Sequence, residues 1–126
     1  MAKVSRPRAL VADDDPSIRQ LLCTIVRRER FDVDSVADGA QAIEKLQQHE
    51  YDIILLDLMM PRVDGFDVID YLKENPPTTK PVVLVITAYA DQKFKEIDAS
   101  VVAEVVPKPF EIAELARSLR VSRFTN

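Results

Sequence analysis

The sequence is poor in the residues that build disulfide or zinc scaffolds. It has one cysteine, one histidine and no tryptophan among 126 residues. A single cysteine cannot form an internal disulfide, which is typical of a protein in a reducing cytoplasm. Zinc sites need clusters of cysteine and histidine, and none is present. Cys23 lies in a helical apolar stripe, so it is predicted to be a core residue and not a nucleophile.

Long hydrophobic runs and an excess of positive charge are also missing. No apolar run approaches the roughly 18 residues of a membrane span, and no signal peptide precedes the first predicted strand, so we expect a cytoplasmic protein without a membrane partner. The formal net charge is -4, which argues against direct nucleic-acid binding. The cluster Arg27, Arg28 and Arg30 falls at a predicted helix C-terminus, where cations offset the helix dipole.

What the chain does have is a regular alternation of strand and helix patterns. Such alternation, with short connections, predicts an α/β fold with a single five-stranded parallel sheet and helices on both faces. The length and the lack of a linker predict one domain over 1–126. The predicted strands lie near 8–13, 31–36, 52–57, 81–87 and 102–106, and the predicted helices near 16–29, 39–49, 65–74, 90–99 and 110–121.

Apolar side chains at helical spacing support the first and the last helix. Asp15 is the predicted N-cap of the first helix and Pro16 its first residue, a pairing that starts helices well. The stripe of the first helix consists of Ile18, Leu21, Leu22, Ile25 and Val26. The stripe of the last helix consists of Ile112, Leu115, Ala116 and Leu119.

Side chains with reactive groups follow four of the predicted strands. Asp13 and Asp14 follow the first strand, Asp57 closes the third, Thr87 closes the fourth, and Lys108 follows the fifth. The carboxyl ends of parallel strands share one edge of a sheet, and ligands bind there. These side chains are therefore predicted to meet at that edge.

Three carboxylates at one edge need a compensating charge. Two unit charges about 5 Å apart repel by roughly 3 kcal/mol at an effective dielectric near 20. A few oxygen ligands with room for water suit a partly hydrated Mg²⁺ ion. A carboxylate in such a site can act as a nucleophile toward a phosphoryl group and form an aspartyl phosphate. Lys108 and Thr87 are expected to contact the same phosphoryl oxygens.

Together these motifs resemble the receiver domain of two-component response regulators, of the kind found in chemotaxis. The matching motifs are Asp13-Asp14, Asp57 with Met60-Pro61 and Asp64-Gly65, Thr87-Ala88, and Lys108-Pro109-Phe110. The resemblance runs from Arg8 to about Leu119. It implies a flavodoxin-like sheet with the strand order 2-1-3-4-5.

The resemblance also implies a phosphoacceptor and a metal site. Asp57 is implied to accept phosphate from a phosphohistidine on a sensor histidine kinase or on a histidine phosphotransfer protein. Asp14 and Asp57 are implied to bind Mg²⁺ directly, with the carbonyl of Met59 as the third protein ligand and Asp13 acting through water.

Further residues are implied to modulate the chemistry. Thr87 and Lys108 are implied to hold the phosphoryl group, and the bond between Lys108 and Pro109 is implied to be cis. The side chains of Met59 and Tyr89 would flank the phosphoryl group. Both are bulky and neither can orient an attacking water, so slow hydrolysis is expected.

The sequence departs from the receiver pattern at Val105, where receivers usually carry Tyr or Phe. It also has Val101-Val102 where they usually carry a Gly-Ala pair. Val105 has no ring to rotate, so we expect phosphorylation to perturb residues from Thr87 to Phe94 more than the surface around Val105. Output is expected through protein contacts, with a downstream protein target or a missing output domain as partner. The oligomeric state is left open, a homodimer included.

Three alternatives remain open at this point. The chain is the excised N-terminal domain of a longer regulator or hybrid kinase, or a magnesium-dependent phosphatase or phosphotransferase with an aspartyl intermediate, or a phosphate-independent interaction module on the same fold. The second alternative usually needs an acid two residues after the nucleophile, where this chain has Met59. His49 is predicted to be a surface residue and not a phosphate relay.

Overall fold

The computed structural model describes residues 6–88 and 97–123. The strands are β1 (Arg8–Ala12), β2 (Asp32–Val36), β3 (Ile53–Leu56), β4 (Val82–Thr87) and β5 (Val102–Pro107). The helices of the described part are α1 (Pro16–Arg28), α2 (Gly39–Gln48), α3 (Gly65–Glu74) and α4 (Ile112–Arg123). These bounds lie within two residues of the predicted ones. Over 6–88 and 97–123, no helix has the length and apolar character that crossing a membrane requires.

All five strands are parallel and follow the order β2-β1-β3-β4-β5, which confirms the predicted fold. The four residues of β3 are fully buried because both faces of the sheet are covered. In the register of the sheet, Ala12 of β1 pairs with Leu56 of β3, and Leu56 pairs with Val85 of β4. The residues that follow β1 and β3 therefore emerge side by side.

Each face of the sheet has its own apolar core, since successive strand residues point to opposite faces. Leu10 and Ile54 belong to the core that packs against α2 and α3. Val11 and Leu55 belong to the core that packs against α1 and α4. Cys23 lies in the second core and is 5% exposed, which confirms it as a core residue.

Aspartates start three of the helices. Asp15 caps α1 through the N–H groups of the first turn, and Asp38 caps α2 by accepting from the N–H of Gln41 at 2.8 Å. Asp64 and Asp67 form a reciprocal capping box at the start of α3. Because the caps fix where each helix begins, they also fix the length of the loops at the carboxyl edge of the sheet.

One sequence prediction about a single residue was wrong. Ile112 is 49% exposed because it is the first residue of α4, and the buried stripe of that helix begins one turn later at Leu115. His49, predicted to be a surface residue, is half-buried and contacts two neighbouring side chains. Its ring meets that of the buried Tyr51 edge-on, with centroids 6.3 Å apart, and its Nδ1 lies 3.3 Å from a guanidinium nitrogen of Arg8.

The predicted helix at 90–99 falls mostly outside the described residues. Its end is described, and there the chain forms a turn: the N–H groups of Val101 and Val102 donate to the carbonyl of Asp98 at 3.1 and 3.0 Å. The carboxylate of Asp98 lies 2.8 Å from the ammonium of Lys73. The hydrogen bond from Lys73 lowers the pKa of Asp98, and Ser100 adds to this effect.

Candidate functional site

Three carboxylates converge at the carboxyl edge of the sheet, as the sequence predicts. Asp13 follows β1 and Asp57 follows β3, and the N–H of Asp57 donates to the carbonyl of Ala12 at 3.0 Å. One carboxylate oxygen from each of Asp13, Asp14 and Asp57 lies within 4.8 Å of the others. Asp13 and Asp57 are buried whereas Asp14 is exposed, so the cluster opens to solvent on one side.

Lys108 reaches the same cluster from the loop after β5. Its Nζ donates to Oδ2 of Asp13 at 2.9 Å and to Oδ2 of Asp57 at 3.4 Å. The backbone N–H of Lys108 donates to the carbonyl of Thr87 at 2.9 Å, which ties this loop to the end of β4. The bond between Lys108 and Pro109 is cis, as the resemblance implies. The ammonium of Lys108 therefore contacts two of the three carboxylates.

The electrostatics of the cluster are unbalanced at Asp57. Burial raises the pKa of the Asp57 carboxyl, the charge of Lys108 lowers it, and the charge of Asp13 raises it again, so the net direction is upward. Burial opposes the charge on Lys108, but its hydrogen bond with Asp13 and the charges of Asp57 and Asp13 outweigh this and raise its pKa. Lys108 thus makes its shorter contact with Asp13 and its longer contact with Asp57. The negative charge on Asp57 is only partly compensated.

Thr87 and Met59 also lie at this edge. Thr87 is the last residue of β4, which neighbours β3, and its side chain is fully buried. The N–H of Met59 donates to Oδ1 of Asp57 at 3.3 Å, while the Met59 side chain is 44% exposed. The backbone of Met59 is thus adjacent to the carboxylate of Asp57, and its side chain is exposed to solvent.

The remaining predicted site residues are placed as follows. Val105 is half-buried on β5, where it packs against the core shared with α2 and α3. Pro109 is exposed beside Lys108. Tyr89, the predicted neighbour of the phosphoryl group, lies outside the described residues, as does Phe94.

Two arginines make contacts near the carboxyl edge of the sheet that the sequence did not predict. A guanidinium nitrogen of Arg19, on α1, donates to the carbonyl of Asp13 at 2.8 Å. Arg62 donates to Oδ2 of Asp38 at 3.1 Å and so links the loop after β3 to the cap of α2. The spacing gave no signal that either arginine would contact these loops.

The unbalanced charge on Asp57 leads to a stability prediction. We expect Asp57→Asn to raise the free energy of unfolding at neutral pH, without metal, by on the order of 1 kcal/mol, the part of the cost of burying the charge and of the repulsion by Asp13 that Lys108 does not offset. A folded-state pKa that is raised means that stability falls as the pH rises through it. The gain in unfolding free energy should therefore vanish at acidic pH, where the Asp57 carboxyl of the parent is protonated in both the folded and the unfolded state. Urea unfolding at several pH values measures it, and a less stable variant at pH 7 would contradict the prediction.

Comparisons with known proteins agree with this geometry. The family model described as the response regulator receiver domain matches residues 9–120. The DNA-binding dual master transcriptional regulator RpaA of Synechocystis sp. is 34% identical over 116 residues, which are 90% of this chain and 48% of RpaA. The chain spans about half the length of the curated relatives that it matches.

Solved structures show the same fold. The Francisella response regulator 1452 receiver domain superposes with a TM-score of 0.82 at 30% identity, covering 93% of this chain and 96% of that one. The receiver domain of the sensor histidine kinase PA1611 from Pseudomonas aeruginosa PAO1 has a magnesium ion coordinated in its active-site cleft. It superposes with a TM-score of 0.82 at 27% identity, covering 93% and 97% of the two chains.

A parallel sheet with an acid cluster and a lysine at its carboxyl edge defines the receiver class of signalling proteins. Receivers are generally not classical enzymes. The family model covers most of the sequence, and the chain belongs to the response regulator receiver domain family of two-component signalling. The acid cluster is compatible with magnesium and with an aspartyl phosphate.

Proposed function

We propose that this domain is a phosphorylation-controlled switch in which Asp57 accepts the phosphoryl group. The observation that carries the proposal is the position of Asp57: it is buried at the end of a central strand, with two other carboxylates within 4.8 Å and the Nζ of Lys108 at 3.4 Å. The solvent-facing position of Asp14 and the burial of Asp13 suit a direct and an indirect metal contact, respectively.

The donor set fits magnesium. It consists of oxygen atoms and is open to water on one side, as a partly hydrated Mg²⁺ site requires. Asp14, Asp57 and the carbonyl of Met59 would hold the ion, and Asp13 would contact it through water. When bound, Mg²⁺ supplies positive charge that neutralises the phosphoryl oxygens. The receiver domain of PA1611, with magnesium in its cleft, supports this assignment.

In the proposed reaction a carboxylate oxygen of Asp57 forms a bond with phosphorus. The P–N bond of a phosphohistidine breaks, and its electron pair leaves with the imidazole. Lys108 and the hydroxyl of Thr87 would contact the transferred phosphoryl oxygens and position them. Water later cleaves the aspartyl phosphate, so the domain catalyses only its own phosphorylation and dephosphorylation. The presence of Met59 where a second acid would be needed favours this switch over a phosphatase.

The partners follow from this chemistry. The donor would be a sensor histidine kinase or a histidine phosphotransfer protein, and the output would be a downstream protein or an output domain. Such a role is in line with relatives such as RpaA, which are about twice as long as this chain and are named as DNA-binding regulators. The signal would leave through residues 87–94 and the loop of Lys108, since Val105 offers no aromatic ring.

Dependence on the metal tests the proposal directly. Incubation with a small acyl phosphate and Mg²⁺ is expected to add one phosphate to the chain, measured by intact mass, and removal of Mg²⁺ by a chelator should abolish the addition. Without the ion, the three carboxylates would repel the incoming phosphoryl group. Equal labelling with and without Mg²⁺ would reject the metal-dependent mechanism.

A further inference from the structure

The loop of residues 58–64, which we call the β3–α3 loop, is closed on itself beside the acid cluster. Its base is held by the N–H of Gly65, which donates to the carbonyl of Leu58 at 2.9 Å. Met60 is 8% exposed and anchors the loop in the core shared with α2 and α3. Met59, between these anchors, is the residue whose N–H contacts Asp57.

The outer part of the β3–α3 loop rests on the first turn of α2. The carbonyl of Val63 accepts from the N–H of Gly39 at 2.9 Å. An added Cβ at Gly39 would lie 2.3 Å from that same carbonyl oxygen, so the two backbones are in close contact. Next to this contact, Arg62 donates to Oδ2 of Asp38 at 3.1 Å. Asp38 is nearly buried, with 7% of its side chain exposed.

Arg62 makes this contact from an unfavourable backbone conformation. Its φ is 65°, in the left-handed region where glycine is free of strain and arginine is not. Glycine there would relieve strain but would remove the guanidinium that reaches Asp38. A strained residue that forms a specific contact next to a reactive site points to a functional constraint.

We propose that Arg62 is a positioning residue: through its ion pair with Asp38 it holds the β3–α3 loop against α2 and thereby fixes the backbone of Met59 beside Asp57. The role toward the metal rests on the proposed function, in which the Met59 carbonyl binds Mg²⁺. Breaking the ion pair lets the loop open more often, and each opening removes the Met59 carbonyl from the position that the ion needs.

Two substitutions break the contact from opposite sides. Arg62→Gly removes the guanidinium and the backbone strain together. Asp38→Asn removes the acceptor for Arg62 but keeps an amide oxygen for the N–H of Gln41, so the cap of α2 survives. Arg62→Lys keeps a cation that can reach Asp38. Arg30→Gly is the matched control, since Arg30 has a φ of 69° at the end of α1, away from the acid cluster.

Amide hydrogen exchange without metal measures how often the β3–α3 loop opens. In Arg62→Gly and in Asp38→Asn, the exchange rate of the Met59 amide is expected to rise about threefold, the change in opening that a partly exposed ion pair supports. The Mg²⁺ concentration at half-maximal phosphorylation should rise by a similar factor, while the maximal rate at saturating Mg²⁺ stays the same. Arg62→Lys should restore both values, and the double variant should show no more than either single one.

Stability in urea separates a positioning role from a purely structural one. If Arg62 positions the loop, Arg62→Gly should be as stable as the parent or more stable, because it relieves strain, although its loop opens more. Loss of stability in parallel with faster exchange, effects that add in the double variant, or the same changes in Arg30→Gly would overturn the proposal. A parent chain that takes no phosphate would reject the proposed function, and the exchange of Met59 together with Mg²⁺ affinity would then decide the role of Arg62.

Discussion

Replacing Asp57 by Asn is expected to abolish phosphate incorporation from a small acyl phosphate at saturating Mg²⁺. The loss should be at least about a hundredfold in rate, because the amide has no anionic oxygen to attack phosphorus. Asp57 is the acid for which this is expected because it follows the central strand β3, is buried, and has a charge that Lys108 compensates only in part. Intact mass at several times of incubation measures the rate.

The controls separate loss of the nucleophile from loss of a negative charge. Asp70→Asn removes an exposed carboxylate from α3, outside the acid cluster, and should label at the rate of the parent. Asp14→Asn removes a proposed metal ligand, so its defect should be reduced by raising Mg²⁺, whereas that of Asp57→Asn should not. Labelling of Asp57→Asn at the parental rate would mean that another residue is the nucleophile.

The sequence predicts most of this site because parallel strands bring their carboxyl ends to one edge. Short buried runs followed by Asp13, Asp57 and Thr87 are local signals, and the fold converts them into proximity. Lys108 comes from a more distant strand, yet the same rule predicts its position. The sheet order itself came from the family resemblance, since an alternation of strands and helices does not determine which strands are neighbours.

Contacts between side chains on separate loops could not be predicted from the sequence. The pair of Arg62 and Asp38 joins residues 24 positions apart, and it depends on a left-handed φ that arginine rarely adopts. His49, at the end of α2, contacts Arg8 of β1 and the ring of Tyr51. Tertiary packing decides such contacts, and local propensity carries no information about them.

At Gly65, helix propensity and the structure lead to opposite expectations for the effect of alanine on stability. It is the first residue of α3, where alanine is favoured over glycine by helix propensity and by a smaller loss of chain entropy on folding. In the structure, however, a Cβ at Gly65 would lie 2.4 Å from the carbonyl oxygen of Asp57 and 2.7 Å from the Cα of Leu58. Both are backbone atoms, so no side-chain rotation can make room.

We therefore expect Gly65→Ala to destabilise the protein by about 3 kcal/mol, because the backbone next to Asp57, the proposed phosphoacceptor, must move. Gly65→Ser adds the same Cβ and should cost a similar amount. Ala40→Gly, at an exposed position in the first turn of α2, measures the intrinsic difference between the two residues at a helix start. Urea unfolding of the three variants gives the comparison.

The displacement should also slow the labelling reaction, since the Cβ added by Gly65→Ala would press on the carbonyl of Asp57 itself. Without urea, and at a temperature where Gly65→Ala is still folded, its rate of labelling by acyl phosphate should fall, because a shifted Asp57 carboxylate no longer meets phosphorus, Lys108 and the proposed metal ligands in one geometry. A Gly65→Ala chain as stable as the parent, or more stable by the amount that Ala40→Gly predicts, would mean that this loop has room to spare. The close packing of α3 against the end of β3 would then not be what holds Asp57 in place.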